Sequence, residues 1–266
     1  MRENVMSGVD IRSNRLFSGV AGRSFLIAID HGLPCGVFQG GEHAVELVSK
    51  MVALNPDGIL ISPGLLRRSS EAFGFRGAPS AILRADLWAV DSRVRRERDQ
   101  HRMLAEPEYA VRLGADAMVM MLVLGVPDDV FADNAAAVAR LAERAQRVGV
   151  PLIVEVTAWG QHAVKENDPE LLTFGCRVAA ELGADLVKTP FTGDVASMRT
   201  LVEGCPVPVL VLGGPRKDND EELLASTRLA IQAGARGLVY GRNIWLAPDP
   251  VKLSIELRGV LESRFE

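Results

Sequence analysis

The sequence has little of what disulfide frameworks and metal sites are built from. It contains three cysteines and four histidines among 266 residues. The cysteines are far apart, and neither a Cys-x-x-Cys nor a His-x-x-x-His pattern occurs. Disulfide-stabilised domains and zinc sites need closely spaced sets of these residues, so the sequence favours neither. We therefore predict a protein without a metal site, in a reducing compartment, the cytoplasm.

Other absences exclude further classes of protein. The net charge is −4, and no long basic cluster suggests binding to nucleic acid or to a membrane surface. No segment approaches the ~18 consecutive apolar residues of a membrane span, and the N-terminus lacks the apolar core of a signal peptide. The Gly-x-Ser-x-Gly motif of serine hydrolases and the Gly-x-Gly-x-x-Gly turn of dinucleotide-binding sheets are missing. We predict no partner of these kinds and no resident cofactor.

The sequence does contain a repeated pattern of short apolar runs and amphipathic helical segments. The predicted strands are 24–30, 57–62, 80–88, 117–124, 151–158, 184–188, 208–212 and 237–240. Near-continuous apolar runs are typical of parallel strands covered on both faces, and about eight of them predict a closed (β/α)8 TIM barrel. We expect residues 1–266 to form one domain, with 1–23 as an irregular lead-in. The charged interval 90–106 is predicted to be an exposed helix or an insertion that faces an oligomer partner.

A lysine at the end of the sixth predicted strand is the first candidate for catalysis. Lys188 follows the apolar residues Leu186 and Val187 and precedes turn residues. Apolar surroundings remove water from an ammonium group and lower its pKa, and a neutral amine can attack a carbonyl to form a Schiff base. The alternative is a lysine whose stem covers the sheet while its ammonium group reaches solvent.

Two further candidates end the first predicted strand, which opens at the same mouth of the barrel. A carboxylate beside Lys188 would favour its ammonium form, so Asp30 is better suited to bind substrate hydroxyls or to move protons. His31 can do either, because a histidine titrates near neutrality. The alternative for His31 is a structural role in which its ring satisfies backbone groups.

Strand alternation places Glu155 and Thr157 on one face of the fifth predicted strand. A buried glutamate needs a partner, and Lys188 on the neighbouring strand is the obvious one. The pattern leaves open whether this pair is catalytic or a structural ion pair. Arg84 and Asp86 form a similar same-face pair on the third predicted strand.

Glycines end the last two predicted strands. Gly213 and Gly214 follow the seventh, and Gly241 and Arg242 follow the eighth. In barrels these two loops commonly bind phosphate, because glycines let backbone amides approach an oxyanion and arginine adds a bidentate contact. Each glycine on its own is also explained by the turn in which it lies.

In this order the motifs resemble the class I aldolases of the archaeal fructose-bisphosphate type. Their relatives include 2-amino-3,7-dideoxy-D-threo-hept-6-ulosonate synthase and the thiolase that cleaves phosphorylated autoinducer-2 products. The segments that carry the resemblance are 11–17, 30–32, 187–194, 213–215 and 241–245. The resemblance implies that Lys188 forms the Schiff base, that Asp30 is the acid beside it, and that the glycines and Arg242 hold a phosphate.

The resemblance implies a metal-independent class I aldolase that forms or cleaves a carbon–carbon bond in a phosphorylated ketose or a dihydroxyacetone-phosphate-type substrate. It also implies a homo-oligomer, with a decameric ring as one candidate. The chain departs from the sugar-phosphate aldolases at Thr157, where these enzymes place a proton-donating tyrosine. The thiolase branch resembles this chain in that respect, and it implies proton transfer by His31.

Two alternatives therefore stay open. One is a thiolase-like acyl transfer from a phosphorylated diketone to coenzyme A, which a product assay with and without coenzyme A distinguishes. The other is an inactive barrel that only binds a sugar phosphate, which would keep its affinity after Lys188→Ala.

Overall fold

Eight parallel strands close into a barrel in the computed structural model, which describes residues 7–17, 19, 21–88 and 100–264. The strands are β1 Ser24–Ala28, β2 Gly58–Ile61, β3 Ser80–Arg84, β4 Asp86–Trp88, β5 His101–Met103, β6 Ala117–Val123, β7 Leu152–Thr157, β8 Leu186–Pro190, β9 Val209–Leu212 and β10 Gly237–Tyr240. Around the barrel the order is β1, β2, β3, β6, β7, β8, β9 and β10, and β10 pairs with β1. The predicted TIM barrel is confirmed.

Most of the helices follow the barrel strands and cover the outer face of the barrel, whereas α1 lies at its closed end and the short α2 and α10 lie at its mouth. They are α1 Gly8–Arg15, α2 Gly32–Cys35, α3 Ala44–Val52, α4 Pro63–Arg68, α5 Pro107–Arg112, α6 Asp128–Arg147, α7 Pro169–Glu181, α8 Val195–Gly204, α9 Asp220–Gln232, α10 Arg242–Trp245 and α11 Pro250–Glu262, with a 3-10 turn at Ser70–Phe73. In this part of the chain no helix has the length and apolar character that crossing a membrane requires.

The third predicted strand, 80–88, is wrong as a single barrel strand. It divides at Ala85, whose carbonyl accepts hydrogen bonds from the backbone of Leu104 and Ala105 as the chain returns. This capture turns β4 away from the barrel and into an antiparallel hairpin with β5. Part of the charged interval 90–106 forms the strand β5, so the predicted helix is wrong there. Residues 89–99 lie outside the described residues. The predicted contact of this interval with an oligomer partner stays a prediction.

Alternation along each strand divides the barrel interior into layers. The lower layer is apolar and includes Leu26, Ile153 and Leu186. Two residues further along β7 and β8 the inward positions are occupied by Glu155 and Lys188, both buried. The ionisable side chains therefore lie above an apolar floor, at the carboxyl ends of the strands, where barrels carry their active sites.

The lead-in, predicted as an irregular segment or one short helix over the bottom of the barrel, contains the helix α1 and closes the other end of the barrel. Ser7 and Asp10 form a capping box at the start of α1. After this helix Leu16 enters the lower layer of the interior, where its side chain is fully buried. Arg12 fixes the helix by donating a 2.7 Å hydrogen bond from Nη1 to the carbonyl of Gly149.

We predict that Leu16→Ala lowers the free energy of unfolding by roughly 2–5 kcal/mol, the usual cost of such a cavity. Ile11→Ala is the matched control, because Ile11 lies in the same lead-in and is 46% exposed. Urea denaturation followed by circular dichroism measures both. Equal stabilities of the two variants would show that the lead-in does not seal the barrel.

Candidate active site

A cavity of about 610 Å³ opens at the carboxyl ends of the barrel strands. Eight of the nine residues predicted from the sequence line it: Asp30, His31, Glu155, Lys188, Gly213, Gly214, Gly241 and Arg242. The ninth, Thr157, is fully buried and is not one of the described residues that line the cavity. Of the two polar residues predicted on one face of β7, Glu155 therefore lines the cavity and Thr157 does not.

Lys188 lies at the floor of this cavity, in the middle of β8 rather than at its end. Its Nζ is 2.5 Å from Oε1 of Glu155, and the two residues are paired across β7 and β8. The contact predicted from strand alternation is thus present. The apolar chain neighbours Leu186 and Val187 therefore do not set the surroundings of the amine, because a carboxylate lies directly beside it.

Glu155 is held as a carboxylate. Burial alone would raise its pKa, but the positive charges of Lys188 and Arg84, together with hydrogen bonds from both, outweigh burial and lower the pKa of Glu155 to about 2. At neutral pH this side chain can only accept a proton. It therefore faces Lys188 as an anion, which pairs with the ammonium form of the amine.

Arg84 is the main residue of the site that was not predicted. Its buried guanidinium group donates from Nε to Asp30 at 2.7 Å, from Nη1 to Asp86 at 3.2 Å, and from Nη2 to Glu155. Burial would lower the pKa of Arg84, but the three carboxylates hold it well above the usual value. The sequence did indicate Arg84 and Asp86 as a same-face pair, but not the two carboxylates that reach them from β7 and from the end of β1.

Asp86 connects this arginine to the surrounding fold. Its second carboxylate oxygen, Oδ2, accepts a 2.7 Å hydrogen bond from the backbone of Met121 and lies 2.8 Å from Nε2 of His101. His101 comes from β5, so the hairpin of β4 and β5 connects directly to the catalytic floor. The sequence contains no short motif that would have indicated this contact.

Asp30 faces Arg84 on one side and His31 on the other. Nδ1 of His31 lies 3.7 Å from Oδ1 of Asp30 and has no hydrogen-bond partner in the described chain. The imidazole packs edge-on against Trp245, with ring centroids 4.8 Å apart. Burial lowers the pKa of His31, although the Asp30 carboxylate acts in the opposite direction. The ring is therefore neutral at pH 7 and can accept or donate a proton.

The loops after β9 and β10 form the rim of the cavity next to His31, since β10 pairs with β1. A Cβ atom at Gly213 would lie 2.9 Å from the Tyr240 ring, and one at Gly241 would lie 2.8 Å from the Ala28 carbonyl, so neither position has room for a side chain. Asn243 joins the loops, since its Nδ2 donates to the carbonyls of Gly213 and Pro215 at 3.0 Å each.

Arg242 is the cation of this rim. Its Nε is buried and has no hydrogen-bond partner among the described residues. An unpaired guanidinium nitrogen beside closely packed glycine loops suits an oxyanion. Across all the described residues, no group of three or more histidine, cysteine, aspartate or glutamate side chains is arranged to hold a metal ion.

Comparisons with known proteins agree with this geometry. The family model described as DeoC/LacD family aldolase matches residues 24–247. An uncharacterized aldolase of Saccharolobus solfataricus is 36% identical over 263 residues, which cover 96% of this chain and 95% of that protein. The 2-amino-4,5-dihydroxy-6-oxo-7-(phosphonooxy)heptanoate synthase of Streptomyces griseus is 30% identical over 264 residues, covering 99% of this chain and 93% of the synthase.

Solved structures show the same relationship. The crystal structure of an archaeal fructose 1,6-bisphosphate aldolase superposes with a TM-score of 0.83 at 26% identity, covering 94% of this chain and 98% of that one. An archaeal fructose-1,6-bisphosphate aldolase whose catalytic lysine is covalently bound to the carbinolamine intermediate of the substrate has the same TM-score of 0.83 and 26% identity, with the same coverage of 94% and 98%. The barrel, the cavity and these matches lead to one conclusion: the chain belongs to the DeoC/LacD family of aldolases.

Proposed function

We propose that this aldolase forms a Schiff base between Lys188 and the carbonyl carbon of a phosphorylated ketose or a dihydroxyacetone-phosphate-type substrate, without a metal ion. One observation carries the proposal: Nζ of Lys188 lies 2.5 Å from a glutamate carboxylate on the floor of the cavity. A protonated imine accepts the electron pair of a breaking carbon–carbon bond, which is the task that a metal ion performs in other enzymes.

Glu155 supplies the proton transfers of the first step. It takes one proton from the Lys188 ammonium, and the neutral amine attacks the ketone to form a carbinolamine. Two protons pass from nitrogen to the former carbonyl oxygen through this carboxylate, and the oxygen leaves as water. The product is a protonated imine that keeps the third proton and the positive charge of the ammonium, so atoms and charge balance.

Asp30 and His31 are assigned the proton transfers that accompany cleavage or formation of the carbon–carbon bond. In the cleavage direction a base removes the proton of the hydroxyl group beta to the imine, the bond breaks, and its electrons produce an enamine. Protonation of the enamine carbon and addition of water then release the second product and the free lysine. We assign these transfers to Asp30 and His31, because both line the cavity, whereas Thr157 lies within its wall.

The phosphate is assigned to Gly213, Gly214, Gly241 and Arg242. The supporting observations are the unpaired Nε of Arg242 and the close packing at two of the glycines. The Streptomyces griseus relative is named for a 6-oxo-7-phosphonooxy compound, in which the ketone carbon is next to the carbon that carries the phosphate. A substrate of this type would place its ketone over Lys188 while the rim holds its anion.

We predict that sodium borohydride added with dihydroxyacetone phosphate will leave a reduced adduct on Lys188. The imine is reduced to a stable secondary amine, which peptide mass spectrometry locates. Lys188→Ala should abolish both the adduct and turnover. Lys252→Ala is the matched control, because that lysine makes only a surface ion pair with Glu256 at 4.0 Å. Failure to trap several different ketone phosphates would refute the proposal.

We predict that Arg242→Gln raises KM for dihydroxyacetone phosphate by about 10- to 100-fold, because a charge-assisted contact to the phosphate is lost. Unphosphorylated dihydroxyacetone provides the comparison within each protein. Its KM should change by no more than about twofold, the level expected when no contact to the substrate is lost. Steady-state kinetics with both ketones measures this, and equal losses for the two would place the phosphate elsewhere.

A further inference from the structure

We infer that Arg84 is a positioning residue that orients two proton-transfer carboxylates at once, Glu155 for the chemistry at nitrogen and Asp30 for the chemistry at carbon. The inference rests on the proposed function of Lys188. It goes beyond that function because it assigns a role to a residue that touches neither the amine nor the phosphate loops.

The guanidinium group of Arg84 binds one oxygen of each of these two carboxylates, and the other oxygen faces a different partner. Nη2 of Arg84 binds Oε2 of Glu155, while Oε1 of the same side chain lies 2.5 Å from Nζ of Lys188. Nε of Arg84 binds Oδ2 of Asp30 at 2.7 Å, while Oδ1 of Asp30 is directed to His31 at 3.7 Å. In both cases the arginine takes one oxygen and leaves the other beside a group assigned to proton transfer.

The third carboxylate around Arg84 is arranged differently. Asp86 has both oxygens occupied within the fold, by Arg84 on one side and by Met121 and His101 on the other. Glu155 also has both oxygens paired, but its second partner is the amine used in the proposed chemistry, and the second oxygen of Asp30 faces only His31, at 3.7 Å. The contrast identifies Asp86 as the anchor of Arg84, and Asp30 and Glu155 as the groups that Arg84 presents.

Arg84 itself does not move protons. A guanidinium group keeps its proton at any ordinary pH, so it is a fixed donor. When Lys188 loses its charge to become a nucleophile, Arg84 is the cation that still faces Glu155. Among the described residues, the charged and titratable groups around this carboxylate are Lys188 from β8 and Arg84 from β3, and Arg84 in turn faces Asp30 and Asp86.

The test compares Arg84→Lys and Arg84→Gln with the wild-type enzyme in two partial reactions. The first is the rate of borohydride-trappable imine formation with dihydroxyacetone phosphate between pH 4 and pH 8. The second is the exchange of the substrate's α-hydrogen with deuterium from solvent, followed by NMR. Arg144→Lys is the matched control, because Arg144 also bridges two carboxylates, of Glu106 and Glu108, but on the surface.

We expect Arg84→Gln to slow both partial reactions by about 100-fold or more, the size of a general acid–base contribution. Arg84→Lys should be slowed less, because lysine keeps the charge but lacks the planar fork. In Arg84→Gln the acid limb of imine formation should move to higher pH, since the Glu155 carboxylate loses a cation that stabilises its ionised form. In Arg84→Lys the movement should be smaller, because the positive charge is kept. The affinity for inorganic phosphate should change by less than about twofold.

The outcomes separate this inference from the proposed function. If the wild-type enzyme forms no adduct, the proposed Schiff base is wrong. If the wild-type enzyme does form the adduct and the folded Arg84→Lys variant has the same rate and pH profile, the positioning role of Arg84 is wrong. If the Arg84 variants do not fold, Asp86→Asn replaces them, because it weakens the anchor and leaves Arg84 in place. It should slow both partial reactions without moving the acid limb upward, because the cations beside Glu155 remain, and unchanged rates would overturn the inference.

Discussion

Charge neutralisation inside the barrel is the constraint on which the rest of this structure depends. Two cations, Arg84 and Lys188, share the catalytic floor with the carboxylates of Asp30, Asp86 and Glu155. Removing one partner of such a buried cluster costs far more than the cluster contributes, because the remaining charge is left without solvent or a counterion. Five side chains from different strands must therefore be placed together, and the closed sheet is what brings them into contact.

The same constraint explains how an amine can be reactive in a site full of charge. A lysine among apolar groups becomes nucleophilic because its ammonium form is poorly solvated. Lys188 has different surroundings, in which a carboxylate lies beside its amine and Arg84 helps to keep that carboxylate ionised; in the proposed mechanism this carboxylate takes the proton of the amine. The position that carries tyrosine in the sugar-phosphate aldolases resembled by this chain is Thr157, which is buried in the wall. Proton transfer in this enzyme is consequently assigned to carboxylates and a histidine.

Much of the fold and part of the site could be predicted from the sequence. Eight apolar runs indicated the barrel, because a parallel strand covered on both faces leaves a distinctive pattern, and alternation on β7 predicted the contact of Glu155 with Lys188. The division of 80–88 could not be predicted, since β4 has the same alternation as a barrel strand and its partner β5 lies beyond a charged interval. The role of Arg84 was missed for a related reason: Asp30 and Glu155, which are far from it in sequence, meet it only after the barrel closes.

The pairing of β1 with β10 has a consequence for how the chain is made. These two strands are more than two hundred residues apart, and Phe25 is in register with Leu238. Contacts between such distant parts of a chain form slowly, because a long loop must close before any of them is gained. During synthesis β10 and Arg242 leave the ribosome long after β1 and Asp30, whatever else the chain carries. The two ends of the barrel sheet, and with them the proposed anion rim beside Lys188, can therefore meet only once β10 has been made.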